Sequence, residues 1–173
     1  PYPMASQNKA KMGSGTVETW LKKYPKGPFV VSHKIDGISL MYYKKKGSSS
    51  VQLLTRGNGE KGTDVSQILR YIDVGKLKIP ADVLKGEVAI RGELIMTKEI
   101  WDRKYAASSP SVRNYVAGAV NSSNKHPEPD KLRDITFVAY QIVMPSMKPS
   151  DQFKSMKSWG FHPSPFFLAT KLS

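Results

Sequence analysis

Val30-Val31-Ser32-His33-Lys34-Ile35-Asp36-Gly37 is the stretch whose reading decides the rest of the chain. The apolar, β-prone residues Phe29, Val30 and Val31 lead into a lysine, and a carboxylate follows two positions later. Side chains alternate between the faces of a strand, so an extended run sets Ser32, Lys34 and Asp36 on one face. Gly37 then lets the backbone turn or pass close to a ligand. A lysine and an aspartate on one face of a buried strand are costly unless paired or used. Taken alone, the stretch reads equally as a half-exposed strand carrying a surface ion pair.

Upstream of it, residues 16–24 (TVETWLKKY) predict a short helix with Thr16 as N-cap, Glu18 in the first turn, and Trp20 and Leu21 turned inward. Pro25-Lys26-Gly27-Pro28 breaks that helix. Downstream, residues 38–44 and 51–55 read as strands joined by a flexible hairpin tip at 47–50, with Lys44-Lys45-Lys46 a solvated hairpin end. Val65, Ile68 and Leu69 stand at helical spacing and predict a helix over 64–72. Residues 80–86 read as a loop and 87–96 as an alternating strand. Thr97 caps a predicted helix through Ile100, Trp101 and Tyr105; a second short helix covers 114–120, followed by a polar loop over 121–130. Residues 135–144 form a β-like run closed by Pro145. A helix over 151–159 ends at Gly160, and the chain is irregular from there to Ser173. The three tryptophans read as core or helix anchors and His33 as structural. The sum is one α+β domain with mainly antiparallel strands and flanking helices.

A chain of 173 residues can bury a real core. It contains no cysteine, which excludes disulfides, thiolate metal sites and a thiol nucleophile. No apolar run approaches a membrane span and no signal peptide opens the chain, which fits a cytoplasmic or nuclear protein. Lysine and arginine number 27 against 14 acidic residues, a net charge of +13. Such an excess favours a polyanionic partner, and nucleic acid over a membrane, because no basic amphipathic helix stands out.

Residues 57–62 satisfy G-x-G-x-x-G, but the flanking pattern is hairpin-like rather than βαβ, and Thr63 follows Gly62 where a P-loop needs lysine. The loop reads instead as presenting Arg56 and backbone N–H groups to a phosphate.

Five segments, in order, resemble the adenylation domain of NAD-dependent DNA ligases. Lys34-Ile35-Asp36-Gly37 is similar to the nucleotidyltransferase K-x-D-G motif, whose lysine becomes covalently adenylated. Thr55-Arg56-Gly57-Asn58-Gly59, with Gly62 and Asp64-Val65-Ser66, resembles T-R-G-D-G-x-x-G-E-D-V-T. Arg91-Gly92-Glu93 matches R-G-E at a strand end, and Arg113-Asn114 with Ala117-Gly118 is similar to N-P-R-N-x-x-A-G. The run from Phe137 to Tyr140 resembles the strand ending in an aromatic that stacks on adenine. A lone K-x-D-G carries little; this ordered set covers nearly the whole chain.

The resemblance implies a nucleotidyltransferase fold, NAD⁺ as AMP donor, Mg²⁺, and nicked double-stranded DNA as partner. It implies that the Lys34 amine attacks the α-phosphate, and that AMP then passes to a 5′-phosphate to seal a nick. Lysine is a poor nucleophile while protonated, since its ordinary pKa is about 10.4; nearby arginines and Mg²⁺ would favour the neutral amine. Glu93 would hold the ribose hydroxyl and Tyr140 the adenine. Arg56 and Arg113 would bind phosphate, and Arg91 would join the cofactor-binding set. Asp36 would position Lys34 or the metal. No residue is assigned as a metal ligand. Each has a plainer reading: a strand-end carboxylate for Glu93, core packing for Tyr140, solvated cations for the arginines, and a structural pair with Lys34 for Asp36.

Departures from the family pattern are specific. Ser32 stands where a glutamate usually contacts the adenine amino group, Ser111-Val112 replaces Asn-Pro, Asn121 replaces a second arginine, and Thr63 replaces an acidic residue. They suggest a divergent member of the kind found in large DNA viruses. The family's nicotinamide-binding segment, its later E/D-G-h-V and lysine-bearing motifs, and its OB, zinc, helix-hairpin-helix and BRCT modules are not found in the chain. The expectation is an adenylation domain over 1–173, incomplete at its C-terminal end, with the remaining ligase domains on a longer parent chain. Two alternatives stand beside it: an ATP-dependent ligase or capping-type enzyme, and a non-catalytic basic nucleic-acid-binding module.

Overall fold

The computed structural model describes residues 1–123 and 126–172. After helix α1 (Thr16–Lys23), strand β1 (Phe29–Ser32) leads to β2 (Ile38–Lys44), which pairs antiparallel with β3 (Gln52–Thr55) on one side and β4 (Val88–Ile95) on the other. Strand β4 pairs antiparallel with β5 (Thr136–Met144), and β5 pairs in parallel with the two-residue β6 (His162–Pro163). The sheet order is β3-β2-β4-β5-β6. Strand β1 belongs elsewhere: it forms a two-stranded antiparallel ribbon with β7 (Phe166–Ala169). Helices α2 (Ala81–Lys85), α3 (Lys98–Lys104), α4 (Val112–Ser122), α5 (Pro129–Leu132) and α6 (Pro149–Ser158) flank the main sheet. Mixed α+β architecture with mostly antiparallel strands is as expected.

Strand alternation sorts the main sheet into two unlike faces. Leu40, Tyr42, Ile90, Leu94, Phe137 and Ile142 are buried in the principal core with Trp101, Val116, Phe153, Met156 and Trp159 from the helices. Burying each of these side chains contributes roughly 1.5–3 kcal/mol, so this face dominates stability. On the other face, Ser39 stands opposite Glu93, Met41 opposite Arg91 and Tyr43 opposite Ala89. Met4 closes a small second cluster there with Met41, Tyr43 and Ala89. Polar groups at Ser39, Arg91 and Glu93 thus sit on the face left free of helices.

Register breaks between Arg91 and Gly92, whose partners on β5 are Gln141 and Ala139, so Tyr140 is the extra residue of a bulge. A bulge re-aims a side chain, here that of the aromatic at the end of the motif strand. Gly92 is required by the same packing: a Cβ there would lie 2.4 Å from both the Phe137 ring and the Val138 carbonyl oxygen.

Several sequence expectations are corrected. The extended run does not continue through Lys34 and Asp36, because β1 stops at Ser32 and the chain crosses from ribbon to main sheet. The helix over 64–72 shrinks to a one-turn 3₁₀ helix at Ser66–Ile68. Val65 and Ile68 are buried as their spacing demanded, but a bridge between Leu54 and Asp64 holds the start of the segment to β3. The loop at 80–86 contains the short α2 behind Pro80. Helix α4 is longer than 114–120, with Ser111 accepting from the Asn114 N–H, and α5 opens on Pro129 within the expected polar loop; residues 124–125 of that loop lie outside the described residues. Helix α1 is capped by Gly15 in the left-handed conformation rather than by Thr16, and Trp20 remains 43% exposed, packed only against Tyr24 and Phe29. Lys44 is buried, its ammonium donating to the Leu84 carbonyl at 2.6 Å. The C-terminal stretch read as irregular carries β6 and β7; Pro163 and Pro165 disguise them, since proline is tolerated only where a strand edge needs no donor. Among the described residues no helix is long and apolar enough to cross a membrane.

Candidate active site

Lys34 lies in the crossing between the two sheets, and both ends of that crossing are held. The His33 N–H donates to the Pro165 carbonyl at 2.9 Å, and the His33 carbonyl accepts from the Ser164 hydroxyl at 2.8 Å. At the far end, a Cβ on Gly37 would sit 2.3 Å from the Leu94 carbonyl oxygen, so the K-x-D-G glycine permits direct contact with β4. Lys34 and Asp36 themselves are exposed. Ser32, also exposed, ends β1 opposite Phe166.

Three predicted residues converge on Lys34. Glu93 is 9% exposed, and the Ser39 hydroxyl donates to its Oε1 at 2.8 Å. Burial pushes the Glu93 carboxyl above its ordinary range; the Ser39 hydrogen bond and the charges of Lys34 and Arg113 offset part of that, while Asp36 adds to it. Arg113, in the first turn of α4, lies 3.9 Å from an Asp36 oxygen, with both side chains largely exposed. Among the described residues the ion-pair partner of Asp36 is therefore Arg113, which corrects the expected structural pair with Lys34. A contact this long and exposed is worth little in stability, so its consequence is geometric: it brings α4 to the Lys34 crossing.

Arg56, Arg91 and Tyr140 make a second group on the same face. Burial pushes the Tyr140 phenol up, Arg91 and Arg56 oppose that shift, and Glu93 adds to it. Arg91 donates to Gln141 at 3.3 Å and to the Ala5 carbonyl at 3.2 Å, while its Nε is buried without a hydrogen-bond partner. A buried unsatisfied donor is costly, and a polar ligand would relieve it. Arg56 donates to the Ser6 hydroxyl at 2.7 Å, and its backbone N–H reaches the Ser39 carbonyl. The glycine loop supports it: Gly57 and Gly59 have φ of 53° and 100°, conformations that L side chains rarely adopt. A Cβ on Gly62 would lie 1.8 Å from the Thr55 carbonyl oxygen. The loop leaves a hairpin and enters a single 3₁₀ turn, so no dinucleotide-fold βαβ unit surrounds it.

The N-terminal segment, irregular in sequence, is a strap across this face. Met4 is buried and its N–H bonds the Gly59 carbonyl at 2.8 Å. Tyr2 and Tyr43 both donate to Glu87 at 2.6 Å, and that bond, with burial, pushes the Tyr43 phenol up to about 12. Sequence reasoning missed the strap because Ala5 contributes only a backbone carbonyl, which has no side-chain signature. Ser39 did leave a signal: a single hydroxyl in an otherwise apolar strand, on the face opposite Leu40.

Residues 7–170 match the NAD-dependent DNA ligase adenylation domain family. The chain is 38% identical over 162 residues to the DNA ligase of Acanthamoeba polyphaga mimivirus, covering 92% of this chain and 24% of that ligase. It is 30% identical over 165 residues to the DNA ligase of Wolinella succinogenes, covering 87% of this chain and 24% of the relative. With the DNA ligase of Helicobacter pylori (strain HPAG1) the identity is 35% over 132 residues, 70% of this chain and 19% of the relative. The chain thus spans a quarter or less of the length of these ligases, and the mimivirus relative agrees with the viral affinity suggested by its departures from the family pattern. The chain belongs to the family of NAD-dependent DNA ligase adenylation domains.

Proposed function

We propose that this chain carries the lysine-adenylation step of an NAD⁺-dependent DNA ligase, with Lys34 as nucleophile. The neutral Nζ of Lys34 attacks the α-phosphorus of NAD⁺. An N–P bond forms as the P–O bond to nicotinamide mononucleotide breaks, the mononucleotide leaves with the electron pair, and the amine proton passes to solvent. The AMP is then transferred to the 5′-phosphate of a nick, from which the 3′-hydroxyl displaces it. Residues of the remaining ligase domains, on a longer parent chain, complete those later steps.

The observation that carries this reading is an exposed lysine, tethered on both sides, beside a buried carboxylate whose charge it helps to balance. Glu93, oriented by Ser39, would accept from a ribose hydroxyl, and Tyr140 would stack on the adenine. Arg91, with its unpartnered Nε, would donate to the nucleotide, while Arg56 and Arg113 would face phosphate. Ser32, in place of a carboxylate, would leave the adenine amino group with a neutral partner. Asp36 would orient Arg113 near the reacting phosphate. Mg²⁺ would offset charge on that phosphate. Among the described residues no group of three or more His, Asp or Glu side chains is placed to hold a metal, so the ion would rest chiefly on phosphate oxygens and water.

Intact-protein mass after incubation with Mg²⁺ and either NAD⁺ or ATP tests the reading, with Lys34→Ala as control. The expected result is a gain of one AMP from NAD⁺ that the variant lacks. A gain from ATP alone would move the protein to the rival class of ligases. A gain that survives Lys34→Ala would remove Lys34 from the role, and no gain from either nucleotide would count against catalysis by this chain.

A further inference from the structure

The segment from β6 to β7 reads Pro163-Ser164-Pro165, and its hydrogen bonding is constrained by composition. Neither proline has an N–H, so Ser164 supplies the only backbone donor in the triplet. That donor is already used: it bonds the Ala139 carbonyl at 2.8 Å, tying the triplet to β5. The β1–β7 ladder continues one step beyond β1, where the His33 N–H reaches the Pro165 carbonyl. The next group along β1 needing a partner is the His33 carbonyl, and no backbone donor remains to meet it. The Ser164 hydroxyl does so, at 2.8 Å, from a side chain with no solvent exposure. One residue therefore grips the main sheet with its N–H and the lysine crossing with its hydroxyl.

We infer that Ser164 is a positioning residue for Lys34, holding the peptide plane from which the nucleophile projects through its bond to the His33 carbonyl. The inference rests on the reading of Lys34 as the adenylated residue. The His33 carbonyl and the Lys34 N–H belong to one planar peptide unit, so fixing the first fixes the orientation of the second and of the Lys34 Cα. Losing the bond frees that plane at the ribbon end, while Gly37 still holds the other end against Leu94. Misplacing a reacting group by about 1 Å can cost as much as a hundredfold in rate.

Three variants test it: Ser164→Ala, which removes the donor; Ser164→Cys, nearly isosteric but a weak donor; and Ser164→Thr, which keeps the hydroxyl. The rate of AMP gain from a saturating concentration of NAD⁺, read by intact mass, should fall roughly tenfold in the Ala and Cys variants and recover in the Thr variant. The NAD⁺ concentration giving half-maximal rate should stay within about twofold, because positioning acts after binding. Amide NMR gives an independent arm: the Lys34 N–H should shift and exchange faster in Ser164→Ala, while the Val30 and Val31 amides keep their positions. Should Ser164→Ala not fold, the Cys variant decides. Wild-type rates in a folded variant lacking the hydroxyl, or an unmoved Lys34 amide, would overturn the inference. If the wild-type chain takes no AMP at all, the proposed function fails on its own account, and the amide arm still decides whether Ser164 holds the Lys34 peptide.

Discussion

Glu93 costs the protein stability in return for a charge near Lys34. Its carboxyl is buried, with one hydrogen bond from Ser39, and burial raises its pKa in the folded state. For an acid whose folded pKa exceeds the unfolded one, stability is greatest below the unfolded value and falls as pH rises through the folded value. At neutral pH the ionised carboxylate is therefore a net cost. Glu93→Gln keeps an acceptor for Ser39 and removes the charge. The expected outcome is a rise in Tm of roughly 2 °C at pH 7, the scale of ~0.5–1 kcal/mol in a domain of this size. The gain should shrink as pH falls through the carboxylate range, and AMP gain should be lost or severely slowed. Thermal melts between pH 4 and about 8 check the sign; a variant less stable at neutral pH would show that the charge is needed for folding. Glu93 was legible from its motif, whereas the serine that orients it lies 54 residues away in sequence and declares itself only through strand pairing.

Among the elements, helix α3 shows both what the sequence reveals and what it hides. Its cap was readable: Thr97 accepts from the Ile100 N–H, and Trp101 turns into the core as its spacing demanded. Its anchor was not, because Asp134 lies beyond α4 and α5. Asp134 accepts from Lys104 at 2.9 and 3.1 Å and from the Tyr105 hydroxyl at 2.6 Å, stapling the end of α3 to the entrance of β5. Burial pushes the Asp134 carboxyl up, but the Tyr105 and Lys104 hydrogen bonds, with the charges of Lys104 and Arg103, outweigh it and hold it below its usual range. A depressed acid stabilises the fold above the unfolded pKa, and that contribution is lost as pH falls through the folded value. Asp134→Ala should cost about 1.5–3 kcal/mol at neutral pH, as for hydrogen bonds to a charged group. Urea unfolding should show the gap to wild type closing below about pH 4; a gap independent of pH would mean that packing, not charge, is what Asp134 supplies. Elements whose reasons are local, such as α3 and β4, were legible for this reason, and β6 and β7 were not. Two to four residues punctuated by prolines acquire strand geometry only because β5 and β1 are there to pair with them.

At the scale of the whole molecule, charge rather than topology decides how the chain meets its substrate. The net charge of +13 is far from what solubility needs, and ion pairs absorb little of it: Lys98, Lys104, Lys131 and Arg133 have carboxylate partners, whereas Lys22, Lys23, Lys26, Lys45, Lys46 and Lys61 are exposed. The sequence made this excess readable without saying which face it occupies, since that depends on how the ribbon and main sheet are joined. If the charge serves a nucleic-acid backbone, binding is driven by counterion release and must weaken with salt by about 0.9 logarithmic units per phosphate neutralised. For a chain of this size engaging roughly five to eight phosphates, the slope of log affinity against log salt should lie between about −4.5 and −7 for duplex DNA. Lys34→Ala should change that slope by no more than about 1 while abolishing AMP gain, because one cation contributes to binding only its own counterion. Fluorescence anisotropy of a labelled nicked duplex across a salt series, with an intact duplex and an RNA duplex beside it, measures all of these. A slope shallower than about −1 would mean that the basic excess does not neutralise phosphates and that contacts to DNA come from the other domains of a ligase. Equal binding to nicked and intact duplex, with the slope as expected, would mean that this chain supplies affinity and leaves recognition of the nick to the completed enzyme.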